Sequence, residues 1–436
     1  MSTPPQGGAR ICVREEGSDW PISLVIFQTV SNWIGVSDNE GILDIFQQEL
    51  IDEPVYFHIH SPGYAMEKDE MGYSGQVLTL KRNQIHFVVM QRTSLARRIG
   101  RLTGVGLVRG MRAKETGIAG CDSIQTAHFR GNNFHVWGDT KLLSYPLGIF
   151  QGTVATSSPH SRISLPPLTH SPYTYFVDLE TRCPKKAIEI SGDRGGPTWL
   201  SGLVSLNDRN GTQHLGGVYS LVEPGGSLNP YEIGLCEWNT YSQQFEQMTV
   251  LWRSECGATA PPLPMGHAVP WTDKNQESWV LFGDPFPHLR MRAQWEHWRD
   301  PTAWIPVRPS PLLQDNQGRS VVPHRGSIVW SDHRQKWICI FTQEGGQSSH
   351  LGEIWFCESD MPFGGTWSSC VQVLSHKNYT FYNPRVVWEW SPPDADFLLF
   401  EGTYSNSFTR GSTVATPHYD YNQILYRLNF EDLPIK

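Results

Sequence analysis

Short hydrophobic runs separated by turn residues fill the first 92 positions of the chain. The runs alternate or are uniformly apolar, and Gly, Asn, Asp and Pro stand between them, as they do between short strands. The clearest runs are Ile22–Phe27, Gly41–Phe46, Val55–His60, Gln76–Leu80 and Ile85–Met90. About seven short strands of this kind fit a β-sandwich. We therefore predict an N-terminal β-sandwich domain over residues 1–92.

The pattern changes between residues 93 and 118. Leu95, Ile99 and Leu102 follow one another three or four positions apart, behind Thr93 and Ser94. This spacing predicts a short, capped helix. We interpret residues 93–118 as a helical connector, and its arginines as a solvated face or a clamp between domains.

A loose repeat of about 60 residues runs from residue 119 to the end of the chain. Each copy has a short strand, then an aromatic and apolar strand that ends in Gly, Asp or Glu. The copies are Asn133–Asp139, Gln213–Tyr219, Glu277–Asp284, Lys336–Glu344 and Asp396–Glu401. Helical periodicity is almost absent here, which excludes βαβ architectures. The pattern predicts an all-β chain in which residues 119–436 form a five-bladed β-propeller; a jelly roll is the alternative.

Composition and charge narrow the class of function. The 436 residues carry 35 Lys and Arg against 43 Asp and Glu, a net charge of −8, which disfavours a nucleic-acid partner. No apolar run approaches the ~20 residues that cross a bilayer, so no membrane partner is predicted. The eight cysteines lack a Cys-x-x-Cys spacing, and we predict no metal and no cofactor. No signal peptide is visible, which indicates a cytoplasmic protein, or a secreted one if a leader was removed.

Two carboxylates in the first predicted blade are the main catalytic candidates. Asp122 follows Gly120-Cys121, and Asp139 ends the segment Trp137-Gly138-Asp139, one hairpin later. Because antiparallel strands return to their starting edge, the two side chains are expected to lie close together. A carboxyl pair is what glycosidic bond cleavage needs, since one group holds a proton while the other stays ionised. The alternative is that both aspartates only cap strands.

Later blades supply further candidates at the ends of strands. Glu353 and Glu401 adjoin apolar strands and are expected to face a central channel and tune the aspartates, although an ion pair or solvent would also accommodate them. Arg194 and Arg290 would clamp a uronate carboxylate or neutralise these acids.

Aromatic and polar residues near the blade ends complete the predicted pocket. Rings there can stack on sugar faces while a few polar groups fix the orientation of the substrate. The predicted substrate-binding residues of this kind are Tyr145, Trp199, Tyr379 and Tyr404, with His376 and Asn383 in the wall of the site.

The pairing of Gly-x-Asp-Ser at Asp122 with Trp-Gly-Asp-Thr at Asp139 resembles the first blade of the five-bladed β-propeller glycoside hydrolases, in particular their endo-arabinanase-like branch. The resemblance implies that the two first-blade aspartates are the catalytic pair. Ser37–Ile45 is similar to the hairpin of carboxypeptidase-regulatory-like sandwich domains, which usually have no catalysis of their own. The second- and third-blade acids of the better-known arabinanases and xylosidases have no clear counterpart in this chain.

Three functions follow from these observations. The first is a glycoside hydrolase that acts on an oligo- or polysaccharide. The second is a propeller that binds carbohydrate or protein without catalysis. The third is a polysaccharide lyase in which Tyr404 or His376 would abstract a proton while Arg194 neutralises a uronate. The sugar, the linkage and the oligomeric state are not predicted.

Overall fold

The first eight strands form two four-stranded sheets around one hydrophobic core. The computed structural model describes residues 5–104, 106–108, 117–144, 152–159, 168–169, 171–190, 194–225, 228–257, 259–308, 312–392, 394–409, 411 and 413–435. The strands are β1 Ala9–Glu15, β2 Ile26–Thr29, β3 Ile34–Val36, β4 Ile42–Ile45, β5 Pro54–His60, β6 Tyr64–Ala65, β7 Gly75–Thr79 and β8 Ile85–Arg92. Their order is β4-β1-β8-β6 in one sheet and β3-β2-β5-β7 in the other. Alternate residues such as Ile11, Val13, Phe27, Phe57 and Val88 fill the space between the sheets, as period-two patterning requires.

The helix predicted over residues 93–118 is wrong at its centre. Arg97–Arg101 form strand β9 instead, which pairs with the last strand of the chain. Ile99 and Arg98 are both buried because the strand is covered on both faces, so the spacing that suggested a helix reflects burial on two sides. Residues 105 and 109–116 lie outside the described part of the connector.

The rest of the described chain is built almost wholly of strands. They are β10 Ile118–Cys121, β11 Gln125–Phe129, β12 Asn132–Val136, β13 Thr140–Leu142, β14 Val154–Ser157, β15 Thr174–Tyr175, β16 Thr198–Asn207, β17 Gln213–Val222, β18 Pro230–Asn239, β19 Gln244–Arg253, β20 His267–Thr272, β21 Ser278–Gly283, β22 Pro287–Arg292, β23 Ile305–Pro306, β24 Leu313–Gln314, β25 Ser320–Val321, β26 Pro323–Ser331, β27 Lys336–Gln343, β28 Glu353–Ser359, β29 Val371–Ser375, β30 Thr380–Val386, β31 Phe397–Ser405 and β32 Asn422–Asn429. The one α-helix of the described residues, α1, spans Trp295–Arg299. Short 3₁₀ turns occur at Gln48–Leu50, Ser254–Cys256, Pro301–Ala303, Trp388–Trp390 and Phe430–Asp432. The prediction of an all-β chain is confirmed.

These strands assemble into five successive four-stranded antiparallel sheets. Their strand orders are β11-β12-β14-β15, β16-β17-β18-β19, β20-β21-β22-β23, β26-β27-β28-β29 and β30-β31-β32-β9. The first strands of successive sheets contact one another, β11 with β16, β16 with β20, β20 with β26 and β26 with β30. The fifth sheet takes its outer strand, β9, from the segment just before the other strands of this region, so it joins the two ends of the region.

Polar contacts of β9 attach the first eight strands to the fifth sheet. The guanidinium of Arg98 donates to the carbonyl oxygens of Ser23, at 2.8 and 3.1 Å, and of Pro62, at 2.9 Å. Arg97 pairs with Glu15 at 2.5 Å. The arginines of β9 therefore link the first eight strands to the fifth sheet.

Candidate functional site

Strand pairing brings Asp122 and Asp139 side by side at one end of the first sheet. Asp122 lies between β10 and β11, and Asp139 lies between β12 and β13. Cys121 is opposite Thr140 in the β10–β13 pair. The backbone N–H of Asp122 donates to the carbonyl oxygen of Asp139 at 3.3 Å, and that of Gly138 donates to the carbonyl oxygen of Asp122 at 2.8 Å. The two aspartates are therefore neighbours in the structure, as the sequence predicted.

Gly138 is the residue that lets the Asp122 side chain occupy this position. A Cβ atom at Gly138 would lie 2.3 Å from Oδ1 of Asp122. Any side chain there would displace the carboxylate, so the glycine of Trp137-Gly138-Asp139 is required by a close approach. The Oδ1 atom has no hydrogen-bond partner among the described residues.

The environment raises the proton affinity of both carboxyl groups. Burial, followed by the charge of Asp139, raises the pKa of Asp122 from 3.8 to about 7. Burial also raises the pKa of Asp139, against the hydrogen bond that it accepts from Trp199. Desolvation and a like charge both disfavour the ionised form. The pair can therefore hold one proton near neutral pH.

Three aromatic side chains surround the pair. Tyr382 Oη donates to Asp122 Oδ2 at 2.8 Å, and Trp199 Nε1 donates to Asp139 Oδ1 at 2.8 Å. Tyr421 lies close enough to Asp122 that, besides burial, the carboxylate raises the pKa of its phenol. Burial and the nearby carboxylates raise the pKa of both tyrosines well above the usual value. The phenols therefore act as proton-bearing donors to the carboxylates.

The backbone around Asp122 is held in an unusual conformation at three positions. Ser123, Asn383 and Tyr421 have φ angles of 54°, 48° and 62°, in the left-handed region that non-glycine residues seldom adopt. The side chain of Asn383 donates to Ser123 Oγ, and the N–H of Ser123 donates to Thr403 Oγ1 at 3.2 Å. Such conformations persist where surrounding contacts fix them, and they are often found at functional sites.

An exposed phenylalanine stands at the rim of this cluster. The Phe408 ring lies 5.5 Å from that of Tyr382, at an interplanar angle of 89°. Its side chain is 51% exposed, which is unusual for so large an apolar group beside a buried polar site. The exposed ring face is suited to stacking against a ligand.

Of the predicted binding residues, the structure brings Trp199 and Asn383 to the aspartate pair. Tyr382, Tyr421 and Phe408 were not predicted; they come from the region of the fifth sheet, about 260 to 300 residues beyond Asp122 along the chain. Asp284 has the equivalent place in the third sheet, since Asp284 follows β21 as Asp139 follows β12. Asp284 accepts hydrogen bonds from Arg325 and from the N–H of Gly326, each at 2.7 Å.

The two predicted glutamates have structural partners instead of facing an open channel. Glu353 Oε1 accepts from the N–H groups of Gln347 and Ser348, at 2.6 and 3.1 Å, and so fixes a loop. Glu401 is fully buried and pairs with Arg385 at 2.5 Å. Burial raises the pKa of Glu401 to about 7 against the attraction of Arg385. The expectation that both glutamates face the channel is corrected, because Glu353 binds loop N–H groups and Glu401 has an ion-pair partner inside the fold, although Glu401 Oε2 is buried without a hydrogen-bond partner among the described residues.

A buried aromatic group in and beside the fifth sheet contains His376, Tyr379 and Tyr404. The Tyr379 and Tyr404 rings stack at 3.9 Å, and Tyr379 Oη donates to Asp420 at 2.7 Å. His376 is buried among aromatic rings, and this burial lowers its pKa to about 3. The predicted wall residue His376 and the two tyrosines are thus core residues in this fold.

The two arginines lie elsewhere. Arg194 is on the second sheet's surface, where it pairs with Glu223 at 2.5 Å and Glu255 at 2.8 Å. Arg290 lies on β22 of the third sheet, over the Trp279 ring at 4.6 Å. Both arginines therefore contact other side chains, whereas the sequence predicted a clamp at the aspartate pair. Tyr145 lies outside the described residues.

Within the described ranges, no group of three or more His, Cys, Asp or Glu side chains is arranged to hold a metal ion. In the same ranges, no helix is long and apolar enough to span a membrane.

Comparison with known proteins gives structural similarity without a family. No family model matches the chain, and no curated protein matches it. Solved structures align with it at low identity. An N-acetylgalactosamine deacetylase from F. plautii is 10% identical over 78% of this chain and 97% of that chain, with a TM-score of 0.43. A GH43_1 enzyme from Xanthomonas citri is 9% identical over 77% and 90%, with a TM-score of 0.38. An exo-β-1,3-galactanase from Phanerochaete chrysosporium is 9% identical over 77% and 64%, with a TM-score of 0.40.

Proposed function

We propose that the five sheets are the blades of a β-propeller, preceded by a β-sandwich. The ordered contacts between the first strands of the sheets support a ring. The fifth sheet also meets β10, the strand that precedes the first sheet, since the Gln423 side chain donates to the carbonyl oxygen of Cys121 at 3.2 Å. A single cavity is lined by residues of all five first strands, as a propeller axis would be.

We further propose that the protein is a glycoside hydrolase that cleaves an oligo- or polysaccharide at the Asp122–Asp139 pair. The observation that carries this proposal is the paired carboxyl groups, in which the pKa of Asp122 is raised to about 7. One carboxyl that keeps its proton at neutral pH beside one that ionises is the arrangement that glycosidic cleavage requires.

The two aspartates take different roles because their surroundings differ. Asp122, with its pKa near 7, is the general acid that protonates the leaving oxygen. Asp139 accepts a hydrogen bond from Trp199, which favours its ionised form, and it acts as the base or nucleophile. The negative charge that adds to burial in raising the pKa of Asp122 is that of Asp139, whereas the sequence predicted it from Glu353 or Glu401. A carboxyl separation of ~5–5.5 Å gives retention, and ~6.5–9.5 Å gives inversion.

The lyase alternative finds less support in the structure. Its predicted bases, Tyr404 and His376, are buried in the core, and Arg194 is paired with surface glutamates. Tyr382 and Tyr421 lie nearer to Asp122, but their raised pKa makes the phenolate needed for proton abstraction scarce. A propeller that only binds carbohydrate has no need for two carboxyl groups of raised pKa.

The test is a panel of glycans incubated with the wild-type protein and with an Asp122→Asn, Asp139→Asn double variant. The proposal expects new reducing ends with the wild type and none with the double variant. Unsaturated ends would favour a lyase. Binding of a glycan without cleavage by the wild type would favour the binding module.

A further inference from the structure

A cavity of about 390 Å³ lies between the first strands of the five sheets. Each strand gives the wall at least one apolar side chain, among them Ala127 of β11, Val204 of β16, Val269 of β20, Val329 of β26 and Val386 of β30. This volume is within the range of small-molecule sites.

The cavity opens away from the aspartate pair. Asp122 precedes β11 and Trp199 begins β16, so the pair lies at the N-terminal ends of the first strands. The exposed members of the cavity lining, such as His128, Pro270 and Trp330, lie towards the C-terminal ends of theirs. A ligand in this cavity would therefore not compete with a substrate held by Asp122 and Asp139.

Two tryptophans stand at the mouth of the cavity. Trp330 and Trp388 line it and remain 39% and 42% exposed. The Trp330 ring is held in place by Trp337, at a centroid distance of 5.7 Å, and by a hydrogen bond from its Nε1 to Asp332. Fixed, exposed indole rings offer flat surfaces to an apolar ring.

Two polar atoms in the lining lack partners. The hydroxyl of Ser205 and the Nε–H of Arg385 are buried, and neither has a hydrogen-bond partner among the described residues. Arg385 is 2% exposed, and its other nitrogens are bound to Glu389 and Glu401. A buried donor without an acceptor costs free energy, which a bound oxygen atom would recover.

We propose that this axial cavity is a second binding site, for an uncharged molecule that has an apolar ring and one oxygen acceptor. The apolar wall and the tryptophans fit the ring, and Ser205 and Arg385 donate to the oxygen. Water inside so apolar a cavity makes fewer hydrogen bonds than in bulk water. Displacing this water therefore adds to the binding free energy of a ligand of this class. The site is separate from the proposed hydrolase site.

The test uses 4-bromophenol and bromobenzene, which differ only in the hydroxyl oxygen. Titrations of the full chain by calorimetry should show one saturable site, with 4-bromophenol bound more tightly. Ser205→Ala should remove most of the difference between the two probes. Trp388→Ala should weaken both about fivefold, as expected from the loss of one ring contact. Tyr241→Ala, at a 97% exposed tyrosine outside the cavity, is the matched control and should change neither.

Anomalous diffraction from bromine in a crystal of the wild-type protein locates the probe independently of any variant. A bromine peak between Trp330 and the five first strands supports the proposal. A peak elsewhere, binding that does not saturate, or equal affinities of the wild type and Trp388→Ala would overturn it.

Discussion

Replacing Asp122 by asparagine is expected to stabilise the fold at alkaline pH while removing activity. The folded protein holds the pKa of this carboxyl at about 7, against an ordinary value of 3.8. Each tenfold change in proton affinity corresponds to ~1.4 kcal/mol, so ionising Asp122 in the folded state costs at most ~4 kcal/mol. Asp122 is only partly buried, so water screens some of this cost. We therefore expect ionisation of Asp122 to lower the free energy of unfolding by ~2 kcal/mol.

The sign of the effect depends on pH. Between about pH 4 and pH 7 the folded protein binds a proton at Asp122 that the unfolded chain has released, so the stability of the wild type falls as the pH rises through this window. Asparagine does not titrate. The variant should therefore match the wild type near pH 4, gain on it through the window, and keep its full advantage above pH 7.

Urea unfolding at pH 4, 6 and 8, followed by tryptophan fluorescence, measures this difference. Asp360→Asn is the matched control, because the Asp360 side chain is 81% exposed and forms only a surface pair with Lys336. The control should show no such pH-dependent gain. An Asp122→Asn variant that is no more stable than the wild type at pH 8, or equally more stable at every pH, would refute the reasoning.

Three further substitutions test the site and the domain interface. Trp199→Phe removes the donor to Asp139 and should raise the pKa of that carboxyl, moving the acidic limb of the kcat/KM profile to higher pH; an unmoved limb would contradict this. Phe408→Ala should raise KM about fivefold with little change in kcat, measured on a cleaved glycan, and an unchanged KM would exclude the ring from substrate contact. Arg98→Met leaves the carbonyl oxygen of Ser23 without its donor and should lower the free energy of unfolding by ~2–4 kcal/mol in urea, whereas a loss below ~0.5 kcal/mol would show that the clamp adds little.

The sequence predicted the features that depend on neighbours along the chain. Strand periodicity identified an all-β chain, and one hairpin was enough to place Asp122 next to Asp139. The helix predicted in the connector was wrong because hydrophobic periodicity reports only which residues are buried. Strand β9, which pairs with β32, is buried on both faces and so mimics the spacing of a helix.

Features that depend on distant pairing could not be predicted. Tyr382 reaches Asp122 only because β30 lies beside the segment between β10 and β11. A glutamate at a strand end gives no sign of its partner, so Glu401 was placed in a channel although Arg385 holds it in the interior. Arg385 lies 16 residues earlier in the chain and is brought to Glu401 by strand pairing.

The central claim is that Asp122 and Asp139 perform the chemistry, and the turnover of the single variants tests it most directly. On a glycan that the wild type cleaves, kcat should fall by a factor of ~10³ or more for both Asp122→Asn and Asp139→Asn, while Asp360→Asn keeps wild-type turnover. Circular dichroism should show that all three variants are folded. Wild-type turnover in either folded variant of the pair would contradict the account.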